Sequence, residues 1–195
     1  MPWVRSFGKW LAGAGFTPNG ISTFGVLLAA LACALLTTEG FGHLNATATL
    51  LVAAALVQGR LLCNMMDGVV AVECGLKAKG GDLFNEIPDR IEDTLFLVGT
   101  GYACGRPELG WSAALLAVLT AYIRAFGASL GHGQDFGGPC AKPQRMAILT
   151  AALLLAAFAK GQGWELEPLG PALMLLIAGT ALTVVLRIRR LYLRS

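Results

Sequence analysis

The sequence predicts an all-α membrane protein: six transmembrane helices preceded by a short N-terminal interfacial amphipathic helix. Three observations predict it. The 195 residues are 55% hydrophobic and 14% charged, whereas soluble domains carry about 25% charged residues. A soluble chain of this length could not bury so much apolar surface. Six apolar stretches run over approximately 20–38, 46–73, 82–104, 110–130, 143–160 and 168–190, each near the ~20 residues that cross a bilayer. Basic residues also gather on one side of these stretches, as they do on the cytoplasmic side of membrane proteins.

The elements follow in order. Met1 to Phe16 sets Trp3, Val4, Phe7, Trp10 and Leu11 among Arg5 and Lys9, a pattern suited to a helix lying in the interface. Thr17-Pro18-Asn19-Gly20 opens the first span, and the segment from Thr38 to Asn45 ends it. That span lacks the short apolar region and cleavage site of a signal peptide and reads as a retained helix. The second stretch exceeds a span, so one end projects into water. Gly105-Arg106-Pro107 divides the third from the fourth, and Gly131 to Pro143 is the longest polar loop. No repeat divides the chain, so 1–195 reads as a single domain.

Arg5, Lys9, Lys77, Lys79, Lys142, Arg145, Arg187, Arg189, Arg190 and Arg194 fall on one side, against Arg106 and Lys160 on the other. Both termini are therefore expected to be cytoplasmic, in a bacterial inner membrane. A net charge of +3 makes no case for a nucleic-acid surface. The five cysteines form no C-x-x-C pair and read as small buried residues, not as a disulfide or a zinc site.

The informative residues lie around the second and third stretches. On a helix, Asn64, Asp67, Gly68 and Ala71 share a face, at spacings of three and four. Asn85 and Asp89 share a face of the next helix. At ~1.5 Å per residue, Thr47 to Asp67 spans about 30 Å and Cys104 back to Asn85 about 29 Å. Both polar faces thus reach the same cytoplasmic edge. Four oxygen-bearing side chains converging there suit a hard divalent cation such as Mg²⁺ or Mn²⁺. Gly68 and Ala71 lack bulk, which lets a nucleotide or another backbone approach.

These residues resemble the CDP-alcohol phosphatidyltransferase family, known by D-x2-D-G-x2-A-R-x8-G-x3-D-x3-D. The register places Asn64, Asp67-Gly68, Ala71, Val72, Gly81, Asn85 and Asp89 at the family spacings. Asn64 and Asn85 stand where the family usually has Asp, and Val72 where it usually has Arg. The resemblance implies attack by an acceptor hydroxyl on the lipid phosphate of a CDP-alcohol such as CDP-diacylglycerol, with CMP leaving, in phospholipid biosynthesis. It implies CDP held by Asp67, Gly68, Ala71 and Gly81, and one or two metal ions held by Asn64, Asp67, Asn85 and Asp89. It implies Asp89 as general base. It also implies a pocket for a phosphate on the acceptor alcohol, for which Arg124, Lys142 and Arg145 are the candidates; for Arg124 an ion pair with Asp89 or Asp93 is the alternative.

Two amides in place of carboxylates remove two negative charges, so fewer metal ions are expected, down to one. Arg60, one turn before Asn64 on the same face, is expected either to offset the lost cationic charge near Asp67 or to pair with Asp67 outright. Glu73 and Glu86 are replacement ligands if the amides do not coordinate. Glu92 and Asp93 are expected to flank Arg90 as solvated or paired residues. His132 reads as a solvated loop residue. Gly127 to Gly131 forms a small-x-x-x-small face suited to helix packing or a homodimer. Two other functions stay open: a small transporter or channel, and a weakly active CDP-lipid-binding protein. A transporter would be expected to show broken helices or repeats at mid-membrane, and neither is visible.

Overall fold

The computed structural model describes residues 2–38, 45–73, 75 and 80–194, without the side chains of 2, 3, 73 and 82. Lys77 and Lys79, the Trp3 and Glu73 side chains, and one of the five cysteines, Cys74, lie outside the described residues. The described chain is all-helical: α1 Pro2–Gly13, α2 Pro18–Thr37, α3 Ala46–Glu73, α4 Gly81–Ala103, α5 Pro107–Ser129, α6 Lys142–Gly161 and α7 Leu169–Tyr192.

Five of these, α2, α3, α5, α6 and α7, are long and apolar enough to cross a membrane, and the protein is a multi-pass membrane protein. Helix α4 is not among the five. Asp82, Glu86, Asp89, Arg90, Glu92 and Asp93 crowd its first half, and such groups are costly in lipid unless they face the bundle interior. Accordingly α4 packs against α2, α5 and α7, while α3 packs against α1, α2 and α6.

Local sequence sets the helix starts. Thr17 caps α2, its side chain accepting from the Gly20 amide at 3.1 Å, with Pro18 in the first turn; Pro lacks the donor that would be orphaned there. Asn45 accepts from the Ala48 amide at 2.7 Å and starts α3. Gly80, at φ 78°, turns the chain into α4. On α1, Val4 is buried with Ile21, Met66 and Val70. Phe7 and Trp10 stack 5.6 Å apart on the exposed side.

One core joins α2, α3, α4 and α6 around Ala29, Val57, Phe96 and Leu149. A second joins α4, α5 and α7 around Leu97, Ala114 and Leu173. The α4–α5 hairpin closes on two glycines. A Cβ on Gly110 would fall 2.7 Å from the Leu97 carbonyl oxygen, and one on Gly101 2.8 Å from the Gly110 backbone nitrogen. Backbone atoms cannot step aside as a side chain can. Gly110→Ala is expected to destabilise by about 1–3 kcal/mol, read as a lower unfolding midpoint in detergent; an unchanged midpoint would show that the hairpin is looser than this.

The Gly127–Gly131 stretch is not one continuous helical face. Helix α5 ends at Ser129, Gly131 has φ 83°, and Gly127 packs on Leu191 of α7. Gly127 thus serves packing within the chain, while a Cβ at Gly131 would meet open space.

Candidate active site

Two clefts border the polar face of α4. The first has a volume of ≈ 450 Å³ and lies where α2, α3 and α4 meet. Asp67, Gly68, Ala71 and Val72 line it from α3, Gly80, Gly81 and Asn85 from the start of α4, and Pro18, Asn19 and Ser22 from α2. A Cβ at Gly68 or Gly81 would meet open space, so both glycines front the cleft, not a neighbour. Asp67 is buried; its Oδ2 accepts from Ser22 Oγ at 2.7 Å, and its Oδ1 has no partner. A buried carboxylate is costly unless something answers its charge. Ser22 escaped the sequence reading. Its signal is a polar residue on the buried face that also carries Ile21, Gly25 and Ala29.

Asp89 sits one turn beyond Asn85 and is held on both oxygens. Its Oδ1 accepts from Arg60 Nη2 at 2.9 Å and from Asn64 Nδ2 at 3.1 Å. Its Oδ2 meets Lys142 Nζ at 2.5 Å and Arg90 Nη2 at 3.3 Å. Asn64 and Asp89 are thus brought together directly, by a bond that a carboxylate at 64 could not donate.

One expectation is corrected here and one is narrowed. Arg60 makes no pair with Asp67. It is 0% exposed and turns to α4, where Nε bonds Glu92 and Nη2 lies 3.4 Å from Asp93 as well as on Asp89. Glu92 and Asp93, expected as solvated or paired residues beside Arg90, are paired, but with Arg60 and Arg145 and not with Arg90. They are 4% and 1% exposed, Asp93 also bonding Arg145 Nη2 at 3.0 Å. The α2–α4 crossing makes the room: a Cβ on Gly25 would lie 2.5 Å from Glu92 Oε1. Buried charges are costly unless paired; every charge in this network has an opposite partner, although Arg60 Nη1 and Arg145 Nε are buried without a hydrogen bond.

The second cleft, of ≈ 470 Å³, lies among α4, α5, α6 and α7. It brings together Arg124, Lys142 and Arg145 with Asp89, Arg90, Thr120 and Arg187, under the loop residues Phe136 to Gly138. Arg124 pairs with Glu86, not with Asp89 or Asp93. Its Nη1 also donates to Gln134 Oε1 at 3.0 Å, and its guanidinium lies 4.9 Å from the centre of the Phe136 ring. Arg187, read above as topological charge, is a further lining residue: it donates to the carbonyls of Thr120 at 2.7 Å and Gly137 at 3.0 Å. His132 lines neither cleft.

Among the described residues no three His, Cys, Asp or Glu side chains converge on a metal position. The donor chemistry still fits one cation. Asp67 offers an unpartnered oxygen, and Asn85 fronts the same cleft. Asn64 uses its nitrogen on Asp89, leaving its amide oxygen.

The motif register resembles that of the CDP-alcohol phosphatidyltransferases. No family model matches the chain. It is 29% identical over 186 residues to the phosphatidylinositol phosphate synthase of Mycobacteroides abscessus, covering 89% of this chain and 76% of that protein. Its fold is similar to that of the Mycobacterium tuberculosis phosphatidylinositol phosphate synthase PgsA1. With CDP-DAG bound to that enzyme the TM-score is 0.79 at 20% identity, over 98% of this chain and 94% of the other. In complex with manganese and citrate it is 0.78 at 20% identity, over 97% and 88%.

Proposed function

We propose that the protein transfers a phosphatidyl-type group from a CDP-alcohol such as CDP-diacylglycerol to an acceptor hydroxyl, releasing CMP, in phospholipid synthesis. One observation carries this reading: Asn85 lines the first cleft and Asp89, one turn on, lines the second. A donor phosphate and an acceptor hydroxyl held in the two clefts would meet along α4. CDP-DAG bound to the M. tuberculosis enzyme of the same fold supports a CDP-lipid donor here.

In this reading Asp67, Gly68, Ala71 and Gly81 receive the CDP portion, the bare glycines letting it approach the backbone. Val72, exposed in the same cleft, adds no cation there. The acceptor oxygen bonds to the lipid-side phosphorus, the bond from that phosphorus to the bridging oxygen breaks, and CMP leaves with the electron pair. Asp89 takes the hydroxyl proton at Oδ2, the oxygen facing Lys142 on the acceptor side. Arg124, Lys142 and Arg145 supply the positive field for a phosphate on the acceptor, with Arg145 acting through the buried Asp93 pair. Asp67, Asn64 and Asn85 would hold one Mg²⁺ or Mn²⁺ ion; Asp89, the fourth motif position, has both oxygens engaged, which favours one ion over two. Bound there, the cation offsets pyrophosphate charge and makes CMP a better leaving group. Manganese in the M. tuberculosis structure supports a divalent cofactor.

The same reading makes α2 to α7 six spans, α1 interfacial, and the whole of 1–195 one domain. Both termini lie on the cytoplasmic side of a bacterial inner membrane, supported by Lys142 and Arg145 at the start of α6 and Arg189 and Arg190 at the end of α7. A second reading, a weakly active CDP-lipid-binding protein, is favoured by the full engagement of Asp89. CMP release from CDP-diacylglycerol separates them. The expected result is metal-dependent CMP release with glycerol phosphate or inositol phosphate as acceptor. Folded, metal-supplied protein that releases none with any of these, or with serine, would remove the transferase reading.

A further inference from the structure

The ion pairs around the second cleft differ in how firmly they hold. Arg60 and Arg145 are buried with their carboxylates, and opening such a pair strands a charge away from water. Glu86 is different. Its side chain is 45% exposed, yet it grips Nη2 of Arg124, which lines the cleft. A pair with one partner so far in solvent holds weakly. Arg124 does not depend on it for position, because Gln134 holds Nη1 and Phe136 covers the guanidinium face. Glu86 also has somewhere to go: Arg90 Nη2 lies 4.0 Å from its other oxygen. Arg187, in the same cleft, is bonded to backbone carbonyls and makes no ion pair with a carboxylate among the described residues. The cleft therefore holds one unmatched guanidinium and one that is matched by a releasable acid.

We propose that Glu86 is a built-in competitor for the acceptor's anionic group: its carboxylate occupies the edge of Arg124 that a phosphate monoester takes on binding. The inference rests on the acceptor cleft of the preceding reading. A phosphate carries close to two negative charges and bonds a guanidinium through two oxygens. It displaces a singly charged, solvent-facing carboxylate where a neutral hydroxyl compound does not. Glu86 thus sets acceptor affinity and disfavours uncharged alcohols. No covalent step is involved.

The test is Glu86→Gln in the full chain, purified in detergent micelles, with inorganic phosphate as the probe. Phosphate binding is measured by calorimetry and by protection against thermal unfolding. Removing an exposed competing pair is expected to tighten phosphate binding about five-fold, and adding Arg124→Gln is expected to abolish that gain. Equal or weaker binding by Glu86→Gln overturns the proposal. So does a gain that survives Arg124→Gln. Loss of Mn²⁺ binding in Glu86→Gln also overturns it, because Glu86 would then be a metal ligand. CMP release is assayed alongside and reports separately. Tighter phosphate binding without turnover in either protein removes the transferase reading and keeps the competitor. Turnover with unchanged phosphate affinity does the reverse.

Discussion

Asp67→Asn should lower CMP release about a thousand-fold, the scale expected when a charge-stabilising contact to the transition state is lost, and leave the unfolding midpoint unchanged or raised. The two halves of this expectation come from the same atoms. Asn keeps the size of Asp and can still accept from Ser22, the bond now made at 2.7 Å. What it removes is the negative charge behind an oxygen that has no partner. A buried unpaired charge opposes folding, so its removal does not destabilise. That charge is also what a divalent cation in the first cleft would bind. Mn²⁺ binding should therefore fall with activity, while Asn85 and the two glycines still shape the cleft. Wild-type CMP release by the variant would take Asp67 out of the site.

Arg60→Met should have the largest effect on stability, a loss of about 3–5 kcal/mol, typical of removing one partner of a buried ion pair. Arg60 answers Asp89, Glu92 and Asp93 from the centre of α3. Arg145 answers Asp93 as well, but no second cation reaches Glu92 among the described residues. Glu92 is the group left stranded. A double change to Arg60→Met with Glu92→Leu is expected to recover much of the loss, because apolar pairs of similar volume often replace buried ions well. Unfolding midpoints in detergent check both. An unchanged midpoint for Arg60→Met would mean that the network is not what holds α3 to α4. Activity should fall in both variants, since Asp89 Oδ1 loses one of its two donors.

What the sequence disclosed and what it did not divide along one physical line. Features fixed by spacing on a single helix were legible. The second stretch, expected over 46–73, is α3 at Ala46–Glu73, because Asn45 caps it and apolar residues fill it. Asp67, Gly68 and Ala71 had to share a face, and they line one cleft. Features fixed by which helix meets which were not legible. Arg60 shares a face with Asn64 and Asp67, and a side chain of its length can reach several acids. The choice fell to α4 because α2, α3 and α4 cross where Gly25 leaves room for Glu92. Nothing local to Arg60 encodes that room. The same holds for Arg187, whose terminal run of basic residues suits topology equally well. Its role at the cleft depends on the Thr120 and Gly137 carbonyls, which lie 67 and 50 residues away.

The two clefts share no lining residue. That separation has a kinetic meaning. With the donor in one and the acceptor in the other, as proposed, both could be resident together and neither would have to depart before the other arrives. A group passed between them can go in one displacement within a ternary complex, without first being parked on the protein. In the proposed reaction Asp89 would handle a proton and never carry the lipid. Transfer through a single displacement inverts the configuration at phosphorus, whereas two successive displacements would restore it.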